Sequence, residues 1–288
     1  MKKLSLKDIA KLVGVAPSTV SLVLNGKARQ MRISDVLADK IMKVASEAAY
    51  HPNQLAVSLR TGKSKILGLI VESISGNFFG SLAKIIEEEA EKFDYRVVYC
   101  STDNVTLKAQ ELVRMLSQRQ VDGYLITPTM GMEKDILELM AHKRPVVLMD
   151  SYFPDIDVPY VLVDNYAGVK EGMERLTSKG YDRIGYVSVD LPLIQINQRH
   201  LAYIQTLQSN NISDSNSLVL KIAYKEQRDV AIKQISSFIE NAGLQAIFFA
   251  TNYLGILGLE SIQQLGLSIP LDIAVICFDD RNTVIQPL

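Results

Sequence analysis

The sequence predicts an α/β protein, with an N-terminal helix-turn-helix head and a body built from a doubly wound parallel sheet. Three observations carry this. Residues 5–50 place apolar side chains at helical spacing, with no two-residue alternation. From Ile66 the rhythm changes to short apolar runs, at 66–71, 96–100, 123–127, 145–149, 183–189, 246–249 and 274–278, separated by amphipathic stretches such as 78–93, 107–118, 167–179 and 254–265. Strands that apolar are buried on both faces, which requires a parallel sheet covered by helices. The charge is also divided: the first 63 residues carry +7 and the remainder −8, which together give the net −1.

In the head, Ser5-Leu6-Lys7-Asp8 fits a capping box, a hydroxyl followed three residues later by an acid. Ile9, Leu12 and Val13 follow at helical spacing, and Gly14 interrupts them. Pro17 suits the first turn of a second helix, because its missing N–H costs nothing there. That helix runs to Leu24, with Val20, Val23 and Leu24 on one face, and Asn25-Gly26 ends it. Two short helices around a glycine turn have the shape of a helix-turn-helix. A third helix is predicted over 34–49. His51-Pro52-Asn53 breaks the pattern, residues 54–59 form one or two helical turns, and 60–64 form a polar joint. The organisation is therefore a head over 1–52, a hinge and linker over 53–64, and a body over 65–288. A basic head points to contact with a polyanion, or to a solvated basic face. In the body, parallel sheets bind ligands beyond the carboxyl ends of their strands. That rule nominates Ser73, Asp150, Asn252 and Asp279.

Other classes find little support. A chain of 288 residues buries a core without staples, and no apolar run approaches the roughly 20 residues that span a bilayer. Asp8 and Lys11 interrupt the start too early for a signal peptide. Cys100 and Cys277, each in an apolar run, suit buried thiols in a reducing cytoplasm. The sequence holds no Gly-x-Ser-x-Gly and no His-Glu-x-x-His, and His51, His142 and His200 are scattered without metal spacing. No catalytic residue, metal or cofactor is expected. His200 reads as a rim or surface residue, and Asp279 and Asp280 read as strand neighbours facing opposite ways.

Residues 6–16, then Ser18-Thr19-Val20-Ser21, Leu24-Asn25 and Tyr50-His51-Pro52-Asn53, resemble the LacI/GalR family of bacterial repressors. The body continues the likeness in Leu67-Gly68-Leu69-Ile70-Val71, Asn77-Phe78-Phe79, Arg199 with Tyr203, and Phe278-Asp279-Asp280. The resemblance implies a cytoplasmic homodimer that binds double-stranded operator DNA. Its body would be periplasmic-binding-protein-like, with lobes over about 65–163 and 164–288. By resemblance, Pro17, Ser18 and Leu22 read bases, and Thr19, Ser21, Asn25, Tyr50 and Asn53 meet phosphates. Leu22 replaces an arginine often found there, removing a bidentate guanine reader. Lys27-Ala28-Arg29-Gln30-Met31-Arg32 lengthens the following turn with three cations. Ala56 and Leu59 match a hinge helix whose leucine wedges into the minor groove.

The resemblance also implies a small sugar-like effector held by aromatic plates, Phe78 and Phe79, and by Asp150, Arg199, Asn252 and Asp279. Ser73, Ser75 and Tyr224 are further candidates. Tyr253 and Ala202 depart from the aspartate and glycine usual at their positions, and Ala49, Asp94 and Cys277 replace common glycines. Members of the family normally run on well beyond residue 288, so an incomplete second lobe is expected. Two other functions fit the body: a sugar-binding receptor with no DNA role, which predicts an export signal and no basic head, and a sugar-processing enzyme, which predicts a catalytic motif.

Overall fold

The structure is a computed structural model that describes residues 4–50, 54–75, 77–212 and 218–279. It divides into two compact units, Met1–Ile66 with Gln120–Asp122, and Leu67–Arg119 with Gly123–Leu288.

The first unit holds α1 (Leu6–Val13), α2 (Pro17–Leu24), α3 (Asp35–Glu47) and α4 (Gln54–Thr61). Both halves of the capping box at Ser5 and Asp8 are present. Gly14 closes α1 with φ 81°, a left-handed turn that lets α2 start three residues later, with Pro17 in its first turn. Ile9, Ala10 and Val13 of α1 pack against Val20 and Val23 of α2 and Ile41 and Ala45 of α3. Each of these lies on the face that the helical spacing predicts. The Asp122 carboxylate accepts from the Ser64 N–H (2.7 Å), the Ser64 hydroxyl (2.8 Å) and the Lys65 N–H (3.1 Å), which fixes the end of the linker.

The second unit contains two sheets. The first has the order β2-β1-β3-β4-β5, from β1 (Ile66–Val71), β2 (Arg96–Ser101), β3 (Gly123–Ile126), β4 (Val146–Met149) and β5 (Tyr160–Val161). Its helices are α5 (Asn77–Glu91), α6 (Thr106–Gln118) and α7 (Glu133–Ala141). The second sheet has the order β7-β6-β8-β9, from β6 (Ile184–Asp190), β7 (Val219–Ala223), β8 (Ala246–Phe249) and β9 (Ala274–Cys277). Its helices are α8 (Asn165–Ser178), α9 (Ile194–Ser209), α10 (Arg228–Ala242) and α11 (Asn252–Gln264). The pairings β1·β3, β3·β4 and β4·β5, and all those of the second sheet, are parallel.

Alternation along the strands explains the double winding. Ile184, Tyr186, Ala246 and Phe248 face Val169 and Met173 of α8 and Tyr203 of α9. The intervening Val187, Val189, Ile247 and Phe249 face Ile235 and Ile239 of α10 and Leu254 and Ile262 of α11. The helix α11 lies so close to the sheet that a Cβ on Gly258 would run into the Phe249 ring, and one on Gly255 into Cys277 Sγ. Only glycine permits that approach.

Several expectations are corrected. Cys277 lies inside β9, outside the positive-φ residues, whereas Ala49 (φ 45°) and Asp94 (φ 60°) do adopt the left-handed turn of the glycines they replace. His200 does not line the cleft: it is half-buried, and its ring stacks on Tyr186 (5.6 Å) and Tyr203 (6.4 Å). Burial, with the Lys221 charge adding to it, lowers its imidazole below the usual value. Asp279 lies beyond β9 with φ 68°, so the strand alternation assumed for it does not apply. Asp280 and the segment 281–288, on which the incomplete second lobe turns, lie outside the described residues.

Candidate functional site

In the head, Pro17 and Ser18 are exposed at the start of α2, and Thr19, Ser21 and Leu22 are half-buried along it. The Asn25 amide donates to the Ser21 carbonyl (2.6 Å) and to the Ser21 hydroxyl (3.3 Å), closing the helix. Tyr50 packs against the head core. Lys27, Arg29 and Arg32 are exposed beside α2, as are Lys7 and Lys11 on α1. Exposed hydroxyls, amides and cations around the second helix make a surface suited to phosphates and base edges. Ala56 lies on α4, where Leu59 is 80% exposed, an unusual position for a leucine on a short helix. Asn53, the remaining candidate, lies outside the described residues.

In the body, the carboxyl ends of both sheets open on one cleft of about 470 Å³. Glu72 and Ser73 follow β1, Asp150 follows β4, Tyr224 and Lys225 follow β7, Asn252 starts α11 beyond β8, and Asp279 follows β9. The six predicted effector residues, Phe78, Phe79, Asp150, Arg199, Asn252 and Asp279, all line this cleft, as do Ser73, Ser75 and Tyr224. Phe78 and Phe79 meet edge to face at 5.0 Å; Phe79 is packed in the core and Phe78 is 38% exposed. Glu72, Gln195, Tyr253 and Lys225 also line it, and the sequence reading had not proposed them as ligand contacts. Glu72, directly before Ser73 and after β1, lies within reach of the same strand-end rule.

Arg199 is the electrostatic centre. It is 4% exposed; Nε donates to Asn165 Oδ1 (2.8 Å), Nη1 donates to the Ala250 carbonyl (2.6 Å), and the guanidinium lies 3.6 Å over the Phe278 ring. Asp150 is its counterpart. Burial pushes the Asp150 carboxyl up to about 6 against the pull of Arg199, with Asp279 and Glu72 adding to the rise. Gln195 Nε2 donates to Asp150 Oδ2 at 3.3 Å. Asp150 and Asp279 both hold left-handed backbone, at φ 62° and 68°. Strained backbone of this kind collects at functional sites. At the mouth, Lys108 (2.6 Å) and Lys225 (3.1 Å) both pair with Asp103 and hold its carboxyl below the usual range.

The Asp150 shift has a stability consequence. The folded state holds this proton more tightly than the unfolded chain, where the carboxyl has its ordinary value of 3.8. Protonation therefore stabilises the fold at low pH, and this contribution is lost as pH rises through about 6. Asp150→Asn is expected to melt higher than the parent at neutral pH, with the gap closing towards pH 4. Melting curves across that range check this; a variant that melts lower at neutral pH contradicts it.

Residues 5–53 match the family described as bacterial regulatory proteins, lacI family. Residues 64–209 match the periplasmic binding proteins and sugar binding domain of that family, and 173–287 match a periplasmic binding protein-like domain. The chain is 31% identical to the HTH-type transcriptional regulator KdgR of Bacillus subtilis, over 96% of this chain and 82% of that protein. The chain belongs to the LacI family. As a LacI-family member it is a helix-turn-helix transcriptional regulator with a periplasmic-binding-protein-like body. It is also 27% identical to the ribose operon repressor of Haemophilus influenzae, over 96% of the chain and 82% of that protein. Its fold matches a lac repressor dimer solved with operator and the anti-inducer ONPF, with a TM-score of 0.82 at 20% identity, covering 98% of this chain and 84% of that one. Among the described residues no helix is long and apolar enough to cross a membrane.

Proposed function

We propose that this LacI-family regulator represses transcription as a cytoplasmic homodimer on a pseudo-palindromic operator, and that a small sugar-like effector bound in the body controls it. The observation that carries the reading is convergence: residues from five separate segments, Phe78-Phe79, Asp150, Arg199, Asn252 and Asp279, line one cleft at the strand ends of both sheets. Such a cleft, part aromatic and part polar, suits a small polar ligand. The relative named ribose operon repressor supports a sugar as that ligand. Pro17, Ser18 and Leu22 read bases, Thr19, Ser21, Asn25, Tyr50 and Asn53 set register on phosphates, and the α4 pair Ala56 and Leu59 enters the minor groove. Effector binding shifts the balance between body states, and operator affinity follows to the extent that the effector prefers one state. The match of residues 5–53 does not favour a receptor without a DNA role.

The test is selection of DNA from a random pool by the full chain. A two-fold symmetric site is expected, with affinity that falls steeply as salt rises. Enrichment of no sequence, or a flat salt response, overturns the reading. On the selected site, Leu59→Ala is expected to weaken specific binding by about tenfold, while non-specific binding stays within about twofold. Equal loss on both DNAs, read by fluorescence anisotropy, removes Leu59 from the groove.

A further inference from the structure

The cleft is short of positive charge. Glu72, Asp150, Glu226 and Asp279 line it against Arg199 and Lys225, and Asp150 feels the Asp279 and Glu72 carboxylates and the Arg199 guanidinium. Arg199 is the cation nearest this group in charge terms, and its fork is already engaged by Asn165 and the Ala250 carbonyl. Lys225 lies at the rim, 3.1 Å from Asp103, where Lys108 joins it. Hydrogen-bonding capacity is skewed the same way. Gln195 is 5% exposed and lines the cleft; its Nε2 serves Asp150, and its Oε1 has no hydrogen-bond partner. A buried acceptor left open beside carboxylates calls for a donor from outside the protein. Aromatic surface stands next to the acids. Tyr224 and Tyr253 line the cleft together with Glu72, and burial first, then the Glu72 charge, raises both phenols. A carboxylate flanked by tyrosines is a receptor for an ammonium group, which gains both a charge-assisted hydrogen bond and ring-face attraction.

We propose that the effector carries a protonated amine along with its hydroxyls, as an amino sugar does, and that Glu72 is the residue that selects for the amine. This rests on the body cleft being the effector site. The same charge distribution disfavours anionic effectors, whose carboxylate or phosphate would face four acids, Glu72, Asp150, Glu226 and Asp279, against the two cations Arg199 and Lys225.

Isothermal titration of the full chain near neutral pH separates the possibilities. The probes are glucosamine, galactosamine and mannosamine, their parent hexoses, their N-acetylated forms and the matching uronates. At least one amino sugar is expected to bind about tenfold tighter than its hexose and its N-acetyl form, with its uronate weaker still. In Glu72→Gln that preference is expected to shrink to about twofold, and operator binding verifies the fold. A hexose or uronate that binds as tightly as the amine overturns the amine assignment and leaves the effector site standing. An amine preference that survives in Glu72→Gln overturns the role of Glu72. Absence of binding by every probe overturns the sugar-like effector site, and this inference with it.

Discussion

Arg199→Ala is expected to abolish the effector response and to lower the melting temperature of the body by several degrees. The guanidinium is almost fully buried and holds Asn165 Oδ1, the Ala250 carbonyl and the Phe278 ring in one cluster. Its loss strands two acceptors and removes the cation that opposes Asp150 and Asp279. Breaking a buried charged group away from its partners costs about 3–5 kcal/mol. Arg199→Lys keeps the charge and loses the fork, so an intermediate loss is expected. Adding Asp150→Asn to Arg199→Ala is expected to restore part of the stability and none of the ligand response, because it removes the stranded acid and replaces no ligand contact. Calorimetric melting and ligand titration read the two effects separately. A stable, fully responsive Arg199→Ala protein contradicts the placing of Arg199 at the centre of the site.

The second large effect concerns the head. Ile9 is fully buried in a core of seven side chains spread over α1, α2 and α3. Ile9→Ala costs about 2–5 kcal/mol, by lost burial and by the cavity that remains. A unit this small has little stability in reserve, so the change is expected to unfold the head. Operator binding is then lost by more than a hundredfold, about 2.7 kcal/mol or more. The melting of the body and its ligand affinity are expected to stay unchanged. Parallel anisotropy and titration check this; loss of ligand binding together with DNA binding contradicts independent folding of the head.

How much of this was legible in the sequence follows from what each element has to bury. The Ser5–Asp8 cap, Pro17 in the first turn of α2, and the apolar runs of β1 and β8 declare themselves, because local chemistry and burial agree. The strand β7 (Val219–Ala223) escaped, since its residues are mostly half-buried or exposed at the sheet edge and Lys221 interrupts the apolar pattern. The strand β5 is two exposed residues, Tyr160 and Val161, too short for any periodicity. In the cleft, a rule about strand ends reached Ser73, Asp150 and Asp279 from sequence spacing alone. It could not reach Gln195, whose helix α9 is rich in polar residues and carries a weak apolar stripe. For His200, adjacency to Arg199 in sequence suggests a shared environment that the helix does not provide. On a helix, successive residues point about 100° apart, which sends His200 into the Tyr186–Tyr203 stack. Tyr224 and Glu72 line one cleft only because the two sheets present their carboxyl ends to one space, and that placement has no sequence signature.

The central claim is that ligand in the body and operator at the head are read by one coupled molecule. The direct measurement is reciprocal: operator affinity with and without saturating effector, and effector affinity with and without saturating operator, on the same chain. Linkage predicts that the two ratios are equal, at a factor of about 5–150. An effector that binds the cleft and leaves operator affinity unchanged would contradict the account.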